Sequence, residues 1–259
     1  MKKLIYSILE VIFKKGITVS VSGIKIKLPF RYHRYYEHNY EFVNINYFRQ
    51  TIKKGDVVID IGAQLGLMTK LFADLVRPGS DGKVYSFEPT PKTFKALLQT
   101  IKLNEIGEVV VPFQQAISDK KGSAVFNISN NEIDAANSLA NVQRGTELFA
   151  IQVDINSIDS LVQENSIKRV NFIKIDAEGA EYNVLVGARN TILKHRPNIN
   201  LALHPKTIEG FNSSLKEIWD FVMLCNYSVY SGFRKMEENE FINTENLFDV
   251  QLIPIKLQF

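Results

Sequence analysis

Apolar and polar positions alternate along residues 17–28, where Ile17, Val19, Val21, Ile24, Ile26 and Leu28 are separated by polar or small residues. That period of two predicts a short hairpin. From residue 57 the pattern changes to short apolar runs that alternate with helical periods, as a parallel sheet requires. Residues 57–61 (VVIDI) read as the first core strand and 67–76 as its helix, ended by Arg77-Pro78-Gly79. Residues 83–88 follow as strand two, and Pro91 opens a helix reaching Asn104. Strand three covers 109–115. Residues 124–128 and 149–153 read as antiparallel additions around the polar stretch 129–146, followed by a short helix from Ser157. Residues 170–176 form strand four, 182–194 its helix, 198–204 strand five and 214–224 a further helix. Residues 227–230 and 250–257 close the sheet, with 234–246 as the loop between them.

The ends of the chain's first fifty residues carry other patterns. Leu4, Ile5, Ile8, Leu9 and Ile12 repeat on one helical face, flanked by Lys2, Lys3, Lys14 and Lys15. The run is too short to span a bilayer, and Glu10 and the lack of a small-residue cleavage pattern argue against a secretory signal. It predicts a helix packed on the domain, or one lying at a membrane surface with its lysines on anionic lipid. The expected location is cytoplasmic, with peripheral contact through residues 1–15. Residues 30–40 read FRYHRYYEHNY, an aromatic and basic segment expected to cover the acceptor side of an active site. The expected organisation is an N-terminal extension over residues 1–50 and one larger domain over 51–259.

Candidate chemistry begins where strand one ends. Asp60-Ile61-Gly62-Ala63-Gln64-Leu65-Gly66 is a glycine turn between a buried strand and a helix, and Glu88 stands twenty-two positions later at the end of strand two. Such a turn lets a ligand approach backbone, and a carboxylate at that place accepts hydrogen bonds from ribose hydroxyls. A nicotinamide dinucleotide site would read G-x-G-x-x-G, whereas the acid at Asp60 favours the amino end of S-adenosylmethionine. The second constellation is Asp176-Ala177-Glu178-Gly179-Ala180-Glu181 at the end of strand four, which faces the same crevice. Glu178 and Glu181, three apart, could share one face of the following helix, where acids also complement the dipole. His204, at the end of strand five, is the candidate proton acceptor, since an ordinary imidazole titrates near neutrality.

Composition adds little. Thirty-one basic and 28 acidic side chains leave a net charge of +3, which does not demand a nucleic-acid partner. The single cysteine, Cys225, excludes an internal disulfide and a cysteine-cluster metal site.

Together VVIDIGAQLG, SFEPTP at 86–91, QAIS at 115–118 and FIKIDAEGAEYNVLVGA at 172–188 resemble the FkbM-type methyltransferases. The resemblance runs from Tyr40 to Pro205 and implies an α/β, Rossmann-like class I methyltransferase with a seven-stranded, mostly parallel sheet and helices on both faces. It implies S-adenosylmethionine as cofactor and O-methylation of a sugar, glycan or related metabolite. Carried over by position, Asp60, Gly62, Ala63, Gln64 and Gly66 match the cofactor turn, Glu88 the ribose ligand, and Gln115, Ala116 and Ser118 the segment beside the adenine. Tyr40-Glu41 matches a pair preceding strand one, with Glu41 on the cofactor side. Asp176 and Glu178 match acceptor-side acids, joined by His204 as catalytic candidates. A divalent metal held by these acids is left open. Two departures stand out: Gln64 occupies a position where the family usually has Asn, and Ala202 one where it often has Glu, so an acid there must be dispensed with or supplied from elsewhere. The alternatives are a nucleic-acid methyltransferase, for which no Asn-Pro-Pro-aromatic or Asp-Pro-Pro-aromatic segment is found, and a catalytically silent nucleoside-binding module.

Overall fold

The computed structural model describes residues 12–77, 81–129 and 148–255. The apolar run at 4–11 and most of the polar stretch at 129–146 lie outside the described residues. The hairpin is present as β1 (Ile17–Val21) and β2 (Ile24–Leu28). A short 3-10 turn at Phe30–Tyr32 then leads to helix α1 (Phe42–Thr51).

The alternating part of the chain follows the expected order, with β3 (Val57–Ile61), α2 (Leu67–Val76), β4 (Lys83–Phe87), α3 (Pro91–Leu103) and β5 (Val110–Phe113). Next come β6 (Ala116–Ile117), β7 (Gly122–Ser129), β8 (Leu148–Asn156) and α4 (Ile158–Glu164). The central strand β9 (Phe172–Ile175) precedes α5 (Glu181–Gly187), α6 (Arg189–His195), β10 (Asn198–Leu203) and the single turn α7 (Pro205–Ile208). The chain closes with α8 (Leu215–Leu224), β11 (Tyr227–Ser231), β12 (Arg234–Lys235), α9 (Glu238–Ile242) and β13 (Phe248–Pro254). Helix starts are written locally: Pro91 supplies the first residue of α3, and the hydroxyls of Ser157 and Ser214 accept from Ser160 N and Glu217 N.

The main sheet runs β12-β11-β13-β10-β9-β3-β4-β5. Its strands from β10 to β5 are mutually parallel, while β13 inserts antiparallel between β10 and β11. The expected seven strands are therefore joined by an eighth, the two-residue β12. It and α9 occupy the segment expected as a loop, because Arg234 and Lys235 can pair with the end of β11. The antiparallel additions do not extend this sheet. They pair with each other over eight residues and hold β6 in a separate three-stranded sheet.

The helix expected over 182–194 is two. Gly187 passes so close to Ser118 that an added Cβ would lie 2.1 Å from its carbonyl oxygen, and Ala188 leaves helical geometry at φ −106°, ψ 1°. Asp159 then caps the second helix from α4, accepting from Asn190 N and Thr191 N at 3.0 and 2.8 Å.

Side-chain alternation assigns the two faces of the sheet. Val57, Ile59, Ile61, Ile173, Ile175, Leu201 and Leu203 face one core with α4, α5, α6 and α8. Val58, Val84 and Phe172 face the other, with the hairpin, α1, α2 and α3. No helix among the described residues is long and apolar enough to cross a membrane.

Candidate active site

Towards the carboxyl ends of the central strands, the face under α1 turns polar. Ser86, Asp60, Lys174, Asn200 and Gln251 stand side by side across β4, β3, β9, β10 and β13, and all are buried. Lys174 is the cation of this row. Its ammonium lies 3.2 Å from Asp176 Oδ2. Burial opposes its charge, but Asp176, Asp60, Glu41 and Tyr40 outweigh burial and raise its pKa, so it stays protonated. Asp60 turns towards α2, where Thr69 donates to it at 2.6 Å, and burial raises its pKa.

Above this row the loops after the strands enclose a cavity of about 230 Å³. Strand order divides its wall. The β3 and β4 side contributes Gly62, Ala63, Gln64, Glu88 and Thr90, with Gln115 and Ala116 beyond β5. Gly62 has φ 75°, and a Cβ there would meet Asp176 O at 2.2 Å, so only glycine lets the two strand ends meet. Glu88 accepts from Gln64 N at 3.2 Å and Thr90 N at 2.9 Å. Burial nevertheless pushes its carboxyl up to about 7. The aromatic segment borders the cavity as well: Tyr36 and Tyr40 line it, and Gln64 donates to Tyr35 Oη at 2.9 Å. The amide at position 64 thus bonds to that segment.

The opposite side carries Lys174, Asp176, Glu178, His204 and Asp249, and also Glu41, which the sequence reading set with the cofactor but whose charged neighbours are Lys174, Asp249 and Asp176. Glu178 sits at φ 50° in the turn after β9, before α5 begins, so it does not share a helix face with Glu181. Glu181 is fully buried and reaches back instead. Its Oε1 accepts from Gly179 N at 2.9 Å and lies 2.8 Å from His204 Nδ1. His204 Nε2 then faces Glu178 Oε1 at 3.5 Å and Asp176 Oδ1 at 3.8 Å. Burial disfavours the imidazolium, but the Glu181 hydrogen bond and the charges of Glu178, Glu181 and Asp176 prevail and push the ring up to about 9. This upward shift favours the imidazolium and works against the proton-acceptor role expected for His204 from sequence. Asp176, Glu178 and His204 each present one donor atom within 4.8 Å of the others, a spacing a divalent cation could bridge.

A model of one protein family, the methyltransferase FkbM domain, matches residues 60–229. This chain belongs to the FkbM methyltransferase family. Among the relatives of this FkbM member, "Hexuronic acid methyltransferase AglP" of Haloferax volcanii is 29% identical over 54% of this chain and 53% of its own length. "2-O-methyltransferase NoeI" of Sinorhizobium fredii is 27% identical over 56% of this chain and 62% of its own. The FkbM chain therefore spans between half and two thirds of the length of these relatives. The solved methyltransferase FkbM of Methylobacillus flagellatus superposes with a TM-score of 0.48 at 13% identity, over 82% of this chain and 51% of that one.

Of the residues singled out in the FkbM sequence, Glu41, Gly62, Ala63, Gln64, Glu88, Gln115, Ala116, Asp176, Glu178 and His204 meet at one cavity. Asp60, Gly66 and Ser118 stand behind its wall. Gly66 serves packing: its φ is 90°, and a Cβ would lie 2.8 Å from Leu97 of α3. Ser118 is held away from the cavity, its N–H donating to Asn156 O and its hydroxyl to Asp119. Sequence reasoning missed Lys174 and Asp249. Lys174 was legible as a charge inside the apolar run FIKI. Asp249 was not, because only the β10–β13 register brings it opposite Ala202.

Proposed function

We propose that this protein is an S-adenosylmethionine-dependent methyltransferase that methylates a hydroxyl of a small polyhydroxy acceptor, a sugar or glycan unit in particular. One observation carries the reading: a single cavity joins the Glu88 carboxylate and the open backbone at Gly62 to the Asp176, Glu178 and His204 cluster. Membership of the FkbM family and the name of the 2-O-methyltransferase relative support the same class.

The cofactor supplies an electrophilic methyl group when bound. Glu88 is suited to the ribose hydroxyls, since two backbone donors already orient both of its oxygens. On the other side the protein's work is positioning, which for a bimolecular transfer accounts for much of the barrier lowering. Lys174 fixes Asp176, and Glu181 fixes His204, leaving Asp176 and Glu178 to orient the acceptor hydroxyl and take its proton. A cytoplasmic location with peripheral membrane contact through residues 1–15 belongs to this reading, supported by exposed Ile12 and Phe13 followed by two lysines.

The test is incubation with methyl-labelled S-adenosylmethionine and a panel of methyl glycosides, beside calorimetry with S-adenosylmethionine, S-adenosylhomocysteine and NAD. Labelled ether products and binding of the two sulfur nucleosides are expected. Binding of NAD alone, or label found only on nucleic acid, would overturn the assignment.

A further inference from the structure

We propose that Asp249 selects the acceptor: its carboxylate takes a hydrogen-bond donor of the acceptor, hydroxyl or ammonium, and turns away acceptors bearing a carboxylate at that end of the cavity. This inference rests on the hydroxyl-methylation reading and adds the charge class of the substrate.

β13 runs antiparallel to β10, and Asp249 stands directly across from Ala202. Residues opposite each other in a ladder share a face, and both line the cavity. The methyl group of Ala202 leaves room above it, which the Asp249 carboxylate borders. Asp249 is held by a neutral amide: Asn200 Nδ2 donates to it at 3.4 Å. Asn44 of α1 donates to Glu41 Oε2 at 3.1 Å, so a second amide orients another carboxylate of the cavity wall.

The basic side chains of this wall are committed elsewhere. Lys174 faces Asp176, and His204 faces Glu181, Glu178 and Asp176. Among the described residues, the carboxyl groups of Glu41, Asp176, Glu178 and Asp249 thus share the acceptor side with the Lys174 ammonium and the His204 ring. Burial raises the pKa of both Asp249 and Glu41, and the neighbouring Asp176 raises it further, while the amides orient these acids without supplying a countercharge, so their oxygens still accept from donors. Bringing a further anion among them repeats a like charge in a partly desolvated space, which is an effective means of rejection. A hydroxyl or an ammonium meets no such penalty.

The experiment uses the full chain, methyl-labelled S-adenosylmethionine and three acceptors of one shape: methyl glucoside, methyl glucosaminide and methyl glucuronide. For the unaltered protein, transfer to the glucoside or glucosaminide should exceed transfer to the glucuronide, and the two favoured arms tell hydroxyl from ammonium recognition. Asp249→Asn should raise KM for the favoured acceptor about tenfold with kcat little changed, and narrow the discrimination against the glucuronide. Its affinity for S-adenosylhomocysteine, read by calorimetry, should stay the same. Unchanged KM and discrimination would overturn the proposal, as would an equal loss of nucleoside affinity, which marks a packing role. Preference for the glucuronide by the unaltered protein would also overturn it. If the protein binds S-adenosylhomocysteine yet methylates none of the three, the hydroxyl-acceptor reading fails and takes this one with it, an outcome distinct from an inert Asp249→Asn.

Discussion

Lys174 stands beside Asp60 in the register of the parallel strands β9 and β3, with its ammonium 3.2 Å from Asp176. A single buried cation therefore answers two acids from different parts of the sequence. One is locked behind the wall and the other opens on the cavity. Asp60, the acid that drew attention to the glycine turn, reaches no ligand space although it shares a face with Lys174: it is fully buried, with Thr69 of α2 donating to its carboxylate at 2.6 Å. The consequence of the pairing is energetic as well as geometric, since a buried charge tolerates the loss of its partner poorly.

Lys174→Met should accordingly destabilise the fold by about 3–5 kcal/mol, because it leaves the buried Asp60 and the nearby Asp176 without their cation. Urea unfolding checks this. A change below about 1 kcal/mol would mean that Thr69 and solvent satisfy the acids unaided.

Gly62→Ala forces a Cβ to within 2.2 Å of the Asp176 carbonyl at a φ of 75°. Both the clash and the left-handed backbone act against it, so a loss of more than about 1 kcal/mol is expected. The displaced Asp176 loop should also lower turnover. A wild-type melting curve for this variant would show that the two strand ends are not in contact in solution.

Glu88 gives a pH signature. Burial keeps its carboxyl protonated up to about pH 7 against the opposing donors Thr90 and Gln64. A ribose needs acceptors, so nucleoside affinity should rise as pH climbs through about 7. Stability should move the other way. A carboxyl whose folded pKa exceeds its unfolded one contributes most below the unfolded value and loses that contribution as pH rises towards the folded value. Glu88→Gln should flatten both profiles, and Glu88→Ala should weaken S-adenosylmethionine binding at least about tenfold. Calorimetry across pH 5.5–8.5 (roughly the window in which such a carboxyl titrates) measures the affinity.

Asp176→Asn and Glu178→Gln keep size while removing charge. If these acids orient and deprotonate the acceptor, turnover should fall by orders of magnitude, because their contribution lies in the transition state. If they only complement the dipole of α5, the cost is about 0.3–1 kcal/mol of stability with turnover unchanged. Parallel kinetics and thermal melts separate the two.

The sequence by itself determined the alternation of the main strands and helices from 57 to 224, without β6, α7 or the break at Ala188, and with it the glycine turn, Glu88 and the acids after β9. Those signals are local: a buried parallel strand reads as a short apolar run, a helix as a period of 3.6, and a strand end as a glycine or an acid. Only the tertiary structure decided what those residues face. The split at Ala188 follows from a distant Ser118 carbonyl and a cap supplied by Asp159. The state of His204 follows from three carboxylates that converge on it through folding, one of them the buried Glu181. Asp249 illustrates the limit best. It lies 47 positions beyond Ala202, and nothing local joins the two. Their meeting depends on β13 inserting antiparallel beside β10, a long-range pairing whose register is set by the burial of Val250 and Leu252 on the opposite face.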